Sequence, residues 1–353
     1  MMKMRARYVA LAAAGFLSSL GCSATGSAID ENGVLSEAVN VPAAVANGEP
    51  SGLVESTGNL YWTRNTMTGT FPYRWVGRVY RAAKTSVPGQ ETVLYSETGS
   101  AIGSSFGNIT FANDGGVWYG YFLATYYRSG TYVKRVPLDG SSPAITFGDA
   151  PSLASPGSPI VSDGMYLFFY GPNGLYAAPL DGGRTITVAA TAGITGIGFD
   201  RAHLFFSAGN VVHWAFKPNY GNASGVVYTM SEPVAAIGVS AGADNDDSKT
   251  TITVGTTNRV YLLSYATGHV TELADGLRFG TSPHVTSVSS VGTRALWTCC
   301  DANNSCWANN MDTATQDFNH FQGLLVQTGA REIMGDASQM FFIDDYALER
   351  LAY

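Results

Sequence analysis

Apolar residues come in short runs along almost the entire chain, each broken after a few positions by Gly, Asn, Asp or Ser. Val, Ile, Tyr, Phe and Trp dominate the runs. Beyond the N-terminus no stretch sustains the 3.6-residue period of a helix. Such runs predict strands joined by tight turns. One phrase recurs: an apolar strand, a turn carrying Asp, Gly, Asn or Ser, then a second strand with an aromatic or branched core. It first spans Leu53 to Trp62 and returns at 109–118, 160–169, 197–206, 288–297 and 333–342, with a degenerate copy at 237–254. Its anchors Trp62, Trp118, Phe168, Phe205, Trp297 and Phe342 are 56, 50, 37, 92 and 45 residues apart, and the longest gap holds the degenerate copy. A period of about 40–50 residues made of strand and turn alone predicts an all-β chain folded as a β-propeller.

Each repeat continues into a third and fourth strand, as at 132–136 and 175–178, both followed by Pro-Leu-Asp-Gly, a turn whose Gly is free to take positive φ. Seven copies of four strands predict one seven-bladed domain over 32–353. The seventh copy offers only three strands, at 332–335, 340–343 and 347–353. The unassigned segment 33–41 alternates apolar and polar residues, and is expected to add the fourth strand. The two chain ends would then close the ring and remove an open edge.

Composition refines this picture. Gly is 41 of 353 residues, well above the usual ~7%, as hairpin turns demand. Charged residues are only 13%, the formal charge is −7, and no basic block exists, which excludes a nucleic-acid footprint. An acidic body also argues against polyanionic ligands.

The N-terminus reads as an address. Met1 to Arg7 is basic, Tyr8 to Leu20 is apolar but too short for a membrane span, and Gly21-Cys22 follows. This resembles a bacterial lipoprotein signal. The resemblance implies removal of 1–21, a lipid on Cys22, a flexible tether over 22–31 and, from Ser23, the outer membrane. The alternative is a plain secretory peptide cut near Ala24 or Ala28, giving a soluble periplasmic or secreted protein. Either way the body is exported.

The remaining cysteines share one hairpin. In an exported protein a disulfide is expected, and Cys300–Cys306 is the first choice because the turn 301–305 sets them opposite each other. Cys299–Cys306 is the alternative.

The phrase Tyr61-Trp62-Thr63-Arg64 and the Leu-Asp-Gly turns resemble propellers of the YWTD and NHL-like kind. That resemblance implies a binding or scaffold module, with enzymes as a minority. Because YWTD propellers have six blades, six or eight stay open beside seven.

Candidate chemistry is sparse. Gly103 to Gly107 fits G-x-S-x-G around Ser105, but that motif needs a strand–turn–helix elbow, and a tight inter-blade turn is expected instead. Asp244, Asp246 and Asp247 lie in an acidic loop whose oxygens suit Ca²⁺, although a solvated loop explains them as well. The five His are scattered, no phosphate-binding Gly loop occurs, and no cofactor is called for. The feature that stands out is aromatic. The connections 65–77 of copy one and 119–130 of copy two carry Phe71, Tyr73, Arg74 and Trp75, then Tyr121, Phe122, Tyr126, Tyr127 and Arg128. As neighbouring loops on one face they would form a recognition patch for a protein or a glycan; as long strands they would pack between blades. The leading reading is a non-catalytic cell-envelope propeller with such a partner. An enzyme, a lyase or hydrolase at the central opening, is the second reading, and a structural envelope component the third.

Overall fold

The computed structural model of the protein describes residues 28–29, 35–36, 43–47 and 50–352, except 57, 70–73, 100–103, 128, 148–153, 156–157, 218–223, 242–245, 276–283, 304, 315–321, 327–329, 331, 337 and 344–346. Seven four-stranded antiparallel sheets follow one another in chain order and form the blades of a ring. Blade 1 comprises Pro50–Ser56, Asn59–Thr68, Arg74–Ala83 and Thr92–Gly99. Blade 2 comprises Ser105–Asp114, Val117–Tyr126, Gly130–Pro137 and Ile145–Thr146. Blades 3 to 6 begin at Ile160, Ile194, Val234 and His284. The first strands of all seven blades line a central channel of about 620 Å³.

Blades bury both faces of their sheets, which explains the unbroken apolar runs. Successive side chains point to opposite faces. Thus Leu167 and Phe169 pack into the space between blades 2 and 3, while Phe168 packs between blades 3 and 4. Leu204 and Phe206 face blade 3 while Phe205 faces blade 5. Among the described residues there is one apolar cluster in each space between adjacent blades, including the space between the last blade and the first.

Polar repeats accompany the apolar ones. Hydroxyl pairs twelve positions apart join first and second strands at Ser51–Thr63 (3.1 Å), Thr195–Ser207 (2.9 Å) and Thr286–Thr298 (2.8 Å). One member of each pair donates to a carbonyl of the next blade: Thr63 to Gly107, Thr195 to Val234 and Thr286 to Ala330. The Asp of the recurring phrase closes its own turn. Asp163, Asp200 and Asp336 each accept the backbone N–H groups two and three residues on.

The ends of the chain close the ring, but not through 33–41. The fourth strand of blade 7 is Ala43–Asn47, antiparallel to Ala347–Ala352. Residues 35–36 pair instead with 28–29 in a separate two-stranded piece. The closing strand starts directly after Pro42, which has no N–H to give to a ladder. The signal, Cys22 and most of the tether lie outside the described residues.

Blade 2 also departs from the phrase. Five of the six aromatic anchors are buried, but Trp118 is 51% exposed. After the bulge in the first strand, six register pairs precede the turn in blade 2, against three in blade 1, four in blade 4 and five in blades 5 and 6. The longer hairpin lifts Trp118 off the core, and Tyr121 and Phe122 take the buried places.

Candidate functional site

The second strands of blades 1 and 2 have ten residues each, whereas those of the other five blades have five to seven. The residues expected on loops therefore belong largely to strands. Trp75, Tyr121 and Phe122 are buried, Trp75 and Phe122 between blades 1 and 2 and Tyr121 on the blade 3 side. Alternation along a strand sends part of any aromatic-rich segment inward. The Trp75 indole N–H donates to Asn65 Oδ1 at 3.2 Å, and Asn65 bonds both the N–H and the carbonyl of Phe106 at 2.7 Å. Trp75 meets Phe106 edge-on at 5.1 Å.

Outside this packed layer sits a charged knot. Glu97 accepts from Lys134 (2.6 Å), Tyr95 (2.7 Å) and Tyr126 (3.0 Å). Burial pushes the Glu97 carboxyl up, but these bonds outweigh it and hold it below the usual carboxylate range. Burial, reinforced by the neighbouring carboxylate, raises both phenols. Lys134 also lies over the rings of Tyr95 and Tyr126. Of the predicted site residues among those described, Arg74 and Tyr127 reach solvent at the tips of these hairpins, the latter 52% exposed. Phe71, Tyr73 and Arg128 lie outside the described residues.

At the other end of the same two sheets is a groove of about 760 Å³ lined by Trp118, Phe111, Glu55, Arg81, Leu138 and Asp139 among others. Sequence reasoning passed over it, because Trp118 looked like one more core anchor. The only signal for it is the pair Gly115-Gly116, both at positive φ, which marks a turn displaced along the blade.

The central channel carries little ionisable chemistry. Among its lining residues Glu332 is the one charged group, and its two oxygens accept the N–H groups of Gly52 (2.8 Å) and Leu53 (2.6 Å). Ser105 lies within a strand on the channel wall, with no helix after it. The acidic loop divides. Asp246 caps the short turn Asp247–Lys249, whereas Asp247 groups with Asp200 and His203, their ligand atoms within 4.8 Å of one another. Asp200 is already bonded by Ala202 N, His203 N, His203 Nδ1 and Thr250 Oγ1, so its lone pairs are committed to the fold. Asp244 lies outside the described residues. Cys300 and Cys306 form the disulfide, and Cys299 is a buried free thiol whose pKa burial pushes up to about 12.

No family model and no curated protein matches the chain. Many solved structures do. A GH74 enzyme of Niastella koreensis is 15% identical with a TM-score of 0.60, over 88% of this chain and 53% of that one. The extracellular domain of a hybrid two-component system from B. thetaiotaomicron is 10% identical with a TM-score of 0.58, over 89% and 40%. PorZ, a surface component of the type-IX secretion system of Porphyromonas gingivalis, is 12% identical with a TM-score of 0.56, over 88% and 37%. The chain spans between 37% and 53% of these three. At such identities the likeness carries the fold: the protein is a seven-bladed β-propeller of four-stranded antiparallel blades.

Proposed function

We propose that this protein is an exported, non-catalytic propeller that binds a protein or glycan partner at the cell envelope through the projecting hairpins of blades 1 and 2. The observation that carries the reading is asymmetry. The second and third strands of these two blades outrun their counterparts in the rest of the ring, and their tips hold Arg74 and Tyr127, residue types that dominate recognition surfaces. The buried aromatics beneath them make a rigid base. The channel agrees with binding over catalysis, since the one carboxylate among its described lining residues is bonded to backbone amides. Export rests on the N-terminal sequence, with Cys22 as the lipid anchor. Among the described residues no helix is long and apolar enough to cross a membrane.

Two experiments test the reading. Affinity capture from envelope extract with wild-type protein and with the Arg74→Ala/Tyr127→Ala variant should differ in one partner; an identical captured set rejects the hairpin tips as the site. Separately, Cys22→Ala should move the protein from the membrane to the soluble fraction, and unchanged fractionation rejects the anchor.

A further inference from the structure

We infer that the groove beside the turn of the first hairpin of blade 2 is a carbohydrate subsite, built to take a neutral hexose chain on the face of Trp118. The site lies at the opposite end of the sheets from Arg74 and Tyr127 and stands independently of the function proposed for them.

The extension of the first hairpin of blade 2 carries a large aromatic residue out of the core. In the other six blades the second residue of the second strand is Leu60, Leu167, Leu204, Ile252, Ala295 or Met340, and each is fully buried. In blade 2 it is Trp118, half exposed beside the exposed Val117. Trp118 lies in the extension of the blade 2 hairpin, beyond the register that blade 1 shares with it.

The platform is also held in place. Trp118 O accepts the N–H of the buried Leu138 at 2.9 Å, and Phe111 packs edge-on against the indole at 5.7 Å. Beside it the Asp139 turn is closed by Gly140 N to Pro137 O (3.0 Å) and Ser141 N to Asp139 Oδ1 (2.9 Å). The Arg81 guanidinium is anchored on Leu138 O at 3.1 Å. The aromatic face thus comes ready-made, with little ordering left to do on binding.

The chemistry of the walls selects the ligand. An exposed indole face is electron-rich and attracts the polarised C–H groups on one side of a pyranose ring. Carboxylates accept from paired sugar hydroxyls, and a guanidinium donates to hydroxyl and ring oxygens. Asp139 and Arg81 supply both kinds of group around the indole, while Glu55 in the same wall is already paired with Lys84 at 2.6 Å. With Lys84 on Glu55 the charges around the groove balance, and the chain's formal charge of −7 disfavours uronates and other anionic sugars. A volume of about 760 Å³ falls within the range of small-ligand clefts and leaves room for more than one ring.

The test is titration of the folded protein with cellohexaose, chitohexaose and mannohexaose, read by calorimetry and by the shift in tryptophan fluorescence. At least one should bind saturably, and hexagalacturonate should bind at least about tenfold more weakly. Trp118→Ala should weaken that binding at least about tenfold, while Trp118→Phe, which keeps an aromatic face, should stay within about threefold. Asp139→Asn gives a second reading that leaves the hydrophobic packing untouched and should also weaken binding. Tyr127→Ala, at the far end of the blade, should leave it unchanged. No saturable binding to any of the three neutral hexaoses, or equal affinity in wild type and Trp118→Ala, overturns the proposal. Equal affinity for hexagalacturonate overturns the charge selection.

Discussion

The Lys84 ammonium meets the Asp336 carboxylate at 2.6 Å, joining the end of the third strand of blade 1 to the first turn of blade 7. The same ammonium reaches Glu55 at 2.6 Å, and the Arg350 guanidinium of blade 7 donates to the Lys84 carbonyl. On the channel side, Glu332 of blade 7 grips the backbone of blade 1. The seam where the ring closes therefore has a polar clasp at each edge, with the apolar cluster of Trp62, Tyr80 and Phe341 between them.

This clasp has a pH signature. Burial pushes the Asp336 carboxyl up, but bonds from Lys84 and Ser338 win and lower it to about 2. A carboxylate depressed in the folded state adds stability above its unfolded pKa of about 3.9 and loses it as pH falls through the folded value. Lys84→Met should remove part of the depression and leave the part due to Ser338. Urea denaturation should show a loss of about 1–2 kcal/mol at pH 7, between the values of exposed and buried pairs. The difference from wild type should shrink as pH is lowered from 4 to about 2. A constant difference across that window would contradict the assignment.

Closure should depend on 43–47 rather than on what precedes it. A chain beginning at residue 43 is expected to melt close to the intact body. One beginning at residue 48 loses the outer strand of blade 7 and exposes an open edge. Its melting temperature should fall by on the order of 10 °C, the scale set by several kcal/mol in a chain of this size. Differential scanning calorimetry of the two truncations decides between them.

Gly52 sits at φ +64°, and a Cβ there would lie 2.5 Å from Asn108 Cα, with its amide bonded to Glu332. Three blades meet at this residue. Gly52→Ala should cost about 1–3 kcal/mol, the range of a strained left-handed position. Gly58→Ala, also at positive φ but with open space around it, should cost less. Comparable losses for both would show that close approach of blade 2 is unimportant.

The aromatic hairpins should split energetically. Trp75→Ala empties a buried site between blades and is expected to cost about 3–5 kcal/mol. Tyr127→Ala should stay within about 0.5 kcal/mol, as an exposed substitution does. Chemical denaturation of the two variants measures both. A stability loss at Tyr127 as large as at Trp75 would show that its ring is part of the packing.

The ring itself was legible in the chain. Four strands per repeat, Asp- and Gly-bearing turns and the short seventh copy led to seven blades and a closure by both ends, because strand alternation and turn chemistry are local. The Cys300–Cys306 bridge was legible for the same reason, since a short turn sets the two residues opposite each other. Position along a blade was not. The phrase aligns Trp118 with Trp62, yet the blade 2 hairpin is longer and puts one indole at the surface and the other in the core. Likewise the segments 65–77 and 119–130 read as aromatic loops, and only the register of neighbouring strands shows which rings turn inward.

Sequence by itself determined the repeat of strand and turn and the number of its copies, because a period of two with turn residues at fixed offsets follows from backbone sterics. Tertiary structure decided which apolar residues are left over. That depends on where each hairpin ends relative to its neighbours, a quantity set by bulges and by packing across blades that lie next to each other only once the ring has closed.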